Sequence, residues 1–448
     1  MRYPIRHLTT LTAALLVSTS MAQASPFTDA LEAAYEHNPR IQAERSRLES
    51  TDEGVSQALS NTRPNVSANY GVGKQNTAIN KSNDVDGTYR NEGLTVTQPL
   101  FRGGGTWASY QAAKQQVQSG QYRLSGVEQQ VMLDAITAYM DVVENNALLE
   151  LSRNNQEVLE KQLKASKERF AVGEVTRTDV AQSESRLSNA KSQVISAQGQ
   201  LISAVAAFER VVGYKPTATL AMPEQLPELP ASLDEARTAA HNANPQLQSA
   251  LHAEKSAHYN VDTSMATLLP QVALVGTMNR QYGMDIPGES QFSQDKIGIS
   301  VTIPLYQSGA EYSRVREAKS AARQQQHQTM DTQQTVDEAV TQSWEQLETM
   351  LATIKTRQDQ IKAAQTSLDG VRQEQESGSR TVLDVLDAEQ ELFNARTELV
   401  RAQRNRVVAA YTLAQNLGQL TPPMLGLKSV AYDAKEHYDN VKWQPIGF

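Results

Sequence analysis

The chain repeats itself at a nearly constant interval, and this duplication constrains the fold more than any other feature. Asn38 returns 206 residues later as Asn244, and Gly173 returns 205 residues later as Gly378. The same interval, within one residue, relates Pro64 to Pro270, Gly104 to Gly309, and Gly213 to Gly418. A fixed offset across proline and glycine landmarks indicates an internal duplication. The fold must therefore consist of two similar halves.

The duplication divides the chain into five parts. We predict a signal peptide at residues 1–24, a first repeat at 25–213, a proline-rich linker at 214–231, a second repeat at 232–418, and a tail of low regularity at 419–448. The linker carries four prolines, which favour an extended connection.

The first 24 residues have the pattern of a secretory signal. Arg2 and Arg6 precede a moderately apolar run at residues 8–20, and Ala22 and Ala24 form a small-residue cleavage site. A membrane anchor is the weaker alternative, because a spanning helix needs about 20 apolar residues. No other apolar run is that long, so any part that crosses a membrane is expected to do so with strands.

Hydrophobic periodicity predicts very long helices. Apolar residues recur every three or four positions through residues 106–170, which contain no proline. A helix of about 65 residues is about 100 Å long at 1.5 Å per residue. A second helix of about 36 residues follows Gly173, and the second repeat shows the same arrangement. A helix of about 26 residues precedes the strands in each repeat, and stacked end to end on the 36-residue helix it would give roughly 93 Å, close to the length of the long helix. Each repeat is thus predicted to pair one long helix with two shorter helices stacked end to end.

Between the helices, the period changes from three or four residues to two. Alternation of apolar and polar residues predicts strands at about 65–75 and 89–100 in the first repeat. The second repeat has the equivalent strands at about 271–282 and 295–305. The polar stretches between the paired strands are predicted to be loops. Four strands cannot close a membrane barrel, which needs at least eight, so closure requires several copies of the chain.

The composition excludes several classes of protein. The absence of cysteine excludes disulfides and thiol chemistry. The formal net charge is −8 at pH 7 and no basic patch stands out, so we expect no nucleic-acid partner. The histidines lack the spacing of metal ligands, and no nucleophile motif is present. We therefore expect no enzyme activity, no catalytic residue, no metal site and no cofactor.

Three duplicated motifs resemble those of the TolC family of outer-membrane channel proteins, over essentially the whole mature length. They are the Asn-Pro pairs beginning at Asn38 and Asn244, the strand ends at residues 98–101 and 303–306, and the hairpin at residues 378–387. The resemblance implies a fold that is mainly α with a transmembrane β part. In it, three chains close one twelve-stranded β-barrel, which a long α-helical barrel continues into the periplasm.

The family also implies a function and partners. We expect a homotrimeric, passive exit duct in the outer membrane, in contact with its lipid, that works with a periplasmic adaptor protein and an inner-membrane transporter. The tail at residues 432–443 resembles that of members that serve type I protein secretion, and we favour that cargo over multidrug efflux. A periplasmic coiled-coil adaptor is the alternative of another class, although an adaptor would lack the duplicated strand pairs.

Two aspartates three residues apart share one face of a predicted helix. Asp384 follows Thr381 in a capping-box arrangement, and Asp179 follows Thr176 in the same way. Asp387 is different, because Gln182 occupies its place in the first repeat; a solvated surface acid is its simpler interpretation. The family resemblance implies that Asp384 and Asp387 form an acidic ring at the periplasmic entrance, which attracts cations.

The resemblance also implies a gate latch. Arg380 corresponds to an arginine that holds the closed entrance of known members, and its partners there correspond to Thr178 and Asp179. Gln375 replaces a tyrosine that usually takes part, so the latch is expected to be weaker or rearranged. At the other end, Phe101, Trp107 and Tyr306 cluster where strands meet helices. Aromatic residues there are typical of a membrane boundary, and plain packing in the joint is the alternative.

Overall fold

A computed structural model describes most of the chain. The described residues are 26–79, 83–216, 219–223, 226–286, 289–427 and 432–444. The predicted signal peptide at residues 1–24 lies outside them.

The helices of the two repeats match one another in order and length. The first repeat contains α1 (Pro26–His37), α2 (Pro39–Ser60), α3 (Gly105–Ala171) and α4 (Arg177–Val212). The second contains α5 (Leu233–Ala243), α6 (Pro245–Ala266), α7 (Ala310–Glu376) and α8 (Val382–Asn416). The long helices α3 and α7 both have 67 residues, about 100 Å. Among the described helices, none has an apolar stretch suited to crossing a membrane.

The strands form one antiparallel sheet that joins the repeats. Its order is β1 (Asn65–Ile79), β2 (Asn83–Arg102), β3 (Gln271–Ile286) and β4 (Glu289–Thr302). The predicted loops at residues 76–88 and 283–294 are largely wrong, because both hairpins stay paired through these polar stretches. Once two strands are in register, continued pairing satisfies their backbone N–H and C=O groups whatever the side chains.

The strands also end differently from their predicted bounds next to the helices. β2 continues past Pro99 to Arg102, with a register shift between Pro99 and Phe101. A bulge accommodates the missing N–H of proline there. β4 ends at Thr302, short of the predicted 305. Pro304 has no N–H to continue the ladder.

The short helices stack end to end on the hairpin helices, as the lengths predict. Asn38 caps α2 through its Oδ1, and its Nδ2 donates to the carbonyl of Val211, the last turn of α4, at 3.0 Å. In the second repeat, Asn244 caps α6, and its Nδ2 donates to the carbonyl of Asn416 at 2.9 Å. One asparagine in each repeat therefore joins two helices into one long strut beside α3 or α7.

The principal core lies at this joint, half-way along the helices. Phe27 of α1 meets Tyr139 of α3 edge to face at 5.1 Å, and Phe208 of α4 is fully buried beside them. Part of the tail packs here too, through Leu420 and Leu425. The core is wide only at this level, so the hairpins extend from it as thin two-helix arms.

The tail was predicted to have low regularity, but part of it is a helix that docks on α2. In α9 (Glu436–Val441), the Nδ1 of His437 lies 3.2 Å from the Oδ2 of Asp52, whose side chain is buried. Burial raises the pKa of Asp52 to about 6, although its hydrogen bond to His437 opposes this shift. The Asp52–His437 contact thus fixes the tail against the first repeat.

Candidate functional site

The free ends of the two arms are sharp turns built on glycine. We call α3 with α4 the first hairpin and α7 with α8 the second hairpin. Gly173 and Gly378 follow the long helices with φ of 82° and 78°, which glycine adopts without strain. In both turns the next residue closes the last helical turn: Glu174 N–H donates to Arg169 O at 3.0 Å, and Ser379 N–H to Glu374 O at 2.9 Å.

A capping box then starts the returning helix in each hairpin, as predicted. The Oδ2 of Asp384 accepts hydrogen bonds from the N–H and the hydroxyl of Thr381, at 2.8 and 2.7 Å. Thr176 and Asp179 repeat this geometry with the same distances. The hydrogen bonds from Thr381 hold the pKa of Asp384 below its ordinary value, so this exposed carboxylate is fully ionised near neutral pH. Capping is therefore confirmed for Asp384, whose carboxylate stays partly exposed to solvent.

Asp387 has a partner in the other repeat. Its Oδ1 accepts a short, charged hydrogen bond from Nη2 of Arg186, on α4. The two side chains are 57% and 33% exposed, so the ion pair lies at the surface. This contact joins the second hairpin to the first and partly neutralises one of the two predicted ring carboxylates.

Apolar contacts reinforce the same junction. Leu187 of α4 and Leu159 of α3 pack with Val382 and Leu386 of α8, and all four side chains are buried. The first turns of α8 thus lie against the side of the first hairpin, a little above its end. Within one chain, the two arms are held together near their ends by this small cluster and by the Arg186–Asp387 pair.

Arg380 contacts its own hairpin. Its Nε donates to Oε2 of Glu374 at 2.8 Å, and its Nη1 lies 3.9 Å from Oδ1 of Asp384. Glu374 raises the pKa of Arg380 through this bond and its charge. The described contacts of Arg380 include neither Thr178, which is exposed on the first turn of α4, nor the capping residue Asp179. The latch between hairpins of different copies stays a prediction.

Gln375 is half-buried in the last turn of α7, where its carbonyl accepts from Gly378 N–H at 3.1 Å. Whether Gln375 replaces the usual tyrosine in the latch stays a prediction as well.

Two charged residues that form ion pairs near the hairpin ends were missed from the sequence, Arg186 and Glu374. A signal for both exists in the duplication. Arg186 corresponds to Glu391 in the second repeat, and Glu374 corresponds to Arg169 in the first. A position whose charge is opposite in the two repeats does not stabilise the fold that both repeats share. Such a position therefore indicates a contact that only one hairpin makes.

Comparison with known proteins identifies the family. The sequence model of the family described as "Outer membrane efflux protein" matches residues 30–214 and again residues 237–419. The chain belongs to the outer membrane efflux protein family. The two matches also confirm the internal duplication, and with it the resemblance to TolC-family channels.

Individual relatives agree over nearly the whole chain. The outer membrane efflux protein BepC of Brucella suis biovar 1 is 32% identical over 421 residues, 94% of this chain and 91% of BepC. The outer membrane protein TolC of Escherichia coli K12 is 24% identical over 90% of this chain and 84% of TolC. The proteases secretion protein PrtF of Dickeya chrysanthemi is 26% identical over 92% of both chains. This outer membrane efflux protein thus has relatives named for efflux and for protein secretion.

A solved channel structure shows the same fold. The crystal structure of CusC superposes with a TM-score of 0.80 at 17% identity, covering 88% of this chain and 92% of CusC. The fold class expected from the sequence, an internally duplicated α-helical structure continued by a transmembrane β part, is confirmed. As an outer membrane efflux protein, the chain lies in the outer membrane and extends into the periplasm.

The predicted boundary aromatics of this outer membrane efflux protein lie where the sheet meets the helices. Phe101, Trp107 and Tyr306 are 50%, 59% and 75% exposed. Trp107 packs edge to face on Tyr259 of α6 at 5.7 Å, so it also contributes to the joint. Exposure at the end of the sheet supports the predicted position at the membrane surface, and a direct role in lipid contact stays a prediction.

Proposed function

We propose that three copies of this chain form a passive exit duct across the outer membrane, with no catalytic step of its own. The family and the fold support this proposal. The sheet of one chain has four strands with free edges at β1 and β4. Because unpaired backbone groups are not tolerated in lipid, those edges must pair with neighbouring copies. Trimerisation would close a barrel of twelve strands.

We propose that the hairpin ends form the gated periplasmic entrance of this duct. The single observation that carries the proposal is the Arg186–Asp387 ion pair, which joins the two hairpins of one chain near their ends. It is exposed and therefore weak, as a reversible contact must be. Opening would separate the second hairpin from the first and break this pair. Both carboxylates would contribute to the ring with part of their charge neutralised, Asp384 by Arg380 and Asp387 by Arg186.

We propose that a periplasmic adaptor protein and an inner-membrane transporter complete the exporter. The hairpin ends lie about 100 Å from the sheet along α3 and α7, so they would reach deep into the periplasm. A passive duct has no energy source, and a transporter in the inner membrane would supply both energy and choice of cargo.

For the cargo, we propose proteins carried by type I secretion. PrtF, which is named for secretion of proteases, aligns over nearly all of this chain, and the tail at residues 432–443 resembles that of secretion members. Small-molecule efflux is the second candidate. It is favoured by the higher identity to BepC, which is named as an efflux protein.

Deletion of the gene in its natural host tests the proposal for the cargo. We expect culture supernatants of the deletion strain to lack one or more proteins, as seen by mass spectrometry, and a plasmid copy of the gene to restore them. Unchanged supernatants together with increased sensitivity to detergents and drugs would support efflux instead. If neither changes, the proposed role as an export duct is contradicted.

A further inference from the structure

The two faces of the sheet differ in character, and this fixes how it lies in the membrane. Residues paired across neighbouring strands point to the same face. On one face, exposed apolar side chains form a continuous band, with exposures from 38% to 81%: Val66, Leu94, Met278, Ile297, Ile299 and Val301. The opposite face carries Ser67, Asn69, Thr95, Thr277, Lys296 and Ser300. The apolar band faces lipid, since transmembrane strands turn apolar residues outward and polar residues to the lumen.

Two arginines lie on the lipid-facing side at the outer end of this band, where the exposed Val72 of β1 pairs with one of them. Arg280 is two residues past Met278 on β3 and pairs with Glu92, and Arg90 pairs with Tyr282. Arg280 is eight residues beyond Val272, about 27 Å along the strand. A strand tilt of 35–45° makes this a height of about 19–22 Å, near the outer end of an apolar band roughly 25 Å tall. We call Arg90 and Arg280 the rim arginines. The sheet continues past them to Ile79 and Ile286, so they lie at the end of the apolar band farthest from the helices, and therefore at the outer leaflet.

Aromatic and basic residues near the rim arginines indicate that this level of the sheet lies at the membrane surface. Tyr70, 68% exposed, pairs with Glu92 on the same face. The guanidinium of Arg90 lies over the ring of Tyr282 at 4.1 Å from its centre. Lys74, also exposed on this face, lies two residues beyond Val72 on β1. Tyrosines at the edge of an apolar band are typical of the membrane interface, and bases beyond them meet lipid headgroups.

The nearby acidic residues do not fully neutralise the rim arginines, so these arginines can still bind an anion. Glu92 lies 3.3 Å from Nε of Arg90 and neutralises part of its charge, and Asp295 is exposed beside Met278. In the part of the chain that the structure describes, Arg280 forms no ion pair within 4.0 Å. A guanidinium can donate two parallel hydrogen bonds to a phosphate, so the rim arginines suit a phosphate group held at the membrane surface.

We propose that the rim arginines bind the phosphate groups of the phosphorylated glycolipid of the outer leaflet. Charge complementarity and depth both select this occupant, because the site faces lipid and lies at the outer end of the apolar band. Three copies of the chain would carry three such sites around the barrel. Each would anchor the duct at a fixed height in the membrane. This role goes beyond export and is independent of the cargo.

Binding of lipid A to the purified full-length protein tests the proposal. We would count bound diphosphorylated lipid A by native mass spectrometry, for wild type and for Arg90→Gln, Arg280→Gln and the double variant. We expect each substitution to weaken binding about fivefold, the usual contribution of one basic residue near an anionic membrane surface. Lys296→Gln is the matched control, because Lys296 is an exposed cation on the lumen face of the neighbouring strand. It should leave binding unchanged.

Three results would overturn the proposal. One is equal affinity of the wild type for dephosphorylated lipid A. Another is a loss in Lys296→Gln as large as in Arg280→Gln. The third is displacement of lipid A by inorganic phosphate at the same concentration, which would mean a free-anion site. Arg280→Gln breaks no ion pair among the described residues, so its trimer should assemble as the wild type does, and its migration on a native gel checks this.

Discussion

Replacing Arg186 by glutamine removes the ion pair that joins the two hairpins of one chain, and we expect the entrance to open more often. Asp387 then keeps its charge without a partner, and only the apolar cluster around Leu386 holds α8 against the first hairpin. If opening separates the hairpins, the closed state alone loses a favourable contact. The ratio of open to closed channels must therefore rise.

The exposure of the pair sets the size of this effect. With side chains 33% and 57% exposed, the pair belongs to the surface class, which contributes about 0.2–1 kcal/mol. Three copies that open together would lose about 0.6–3 kcal/mol, which raises the open-to-closed ratio by a factor of about 3 to 150. The effect should shrink at high salt, because screening weakens exposed pairs.

Single-channel recording in planar bilayers measures this ratio directly. Lys167→Gln is the matched control, because Lys167 pairs with Glu184 at 2.8 Å with similar exposure but inside the first hairpin. Its loss should leave the open probability unchanged. Arg186→Gln combined with Asp387→Asn should open about as often as Arg186→Gln alone, since the pair is already broken. Equal effects of Lys167→Gln and Arg186→Gln would refute the reasoning, because a general loss of surface charge would then explain both.

The remaining predictions concern stability. Thr381→Ala should cost about 1 kcal/mol by removing the cap of α8, seen as faster hydrogen exchange in its first turn; unchanged exchange would contradict the cap. Burial raises the pKa of Asp52 from 3.8 to about 6, so the folded protein binds a proton at Asp52 more readily than the unfolded chain does. Protonation of Asp52 therefore favours folding increasingly as the pH falls from about 6 towards 3.8. Asp52→Asn should abolish that part of the pH dependence of Tm, and an unaltered profile would rule out Asp52 as its source. Phe208→Ala should destabilise the joint by about 3–5 kcal/mol in denaturant titrations; Ile202→Ala, at an exposed site, should cost far less in the isolated chain.

Local patterns made the helical part of this fold predictable. The seam of apolar residues gave the lengths of α3 and α7, and glycine at positions 173 and 378 gave the turns. The capping boxes at Thr176 and Thr381 were readable because their chemistry lies within four residues. The stacking of α2 on α4 followed from matching lengths. All these features depend on neighbours in sequence or on the duplication.

The rest depends on partners distant in sequence. The strands continue through polar stretches because backbone pairing, rather than side-chain alternation, sustains them once the register is set. The Arg186–Asp387 pair joins residues 201 positions apart, on helices whose contact no periodicity could predict. Docking of His437 on buried Asp52 spans 385 positions. The acidic ring and the latch involve several copies, and they stay predictions for the same reason.

Ion selectivity of the reconstituted channel tests the central claim, that the hairpin ends form the entrance of an outer-membrane duct. The reversal potential in a potassium chloride gradient gives the cation preference of the wild type and of Asp384→Asn combined with Asp387→Asn. We predict a cation-selective wild type and a clear loss of selectivity in the variant, with a smaller loss in each single substitution. A selectivity that is unchanged by both substitutions would contradict the placement of these aspartates at the entrance.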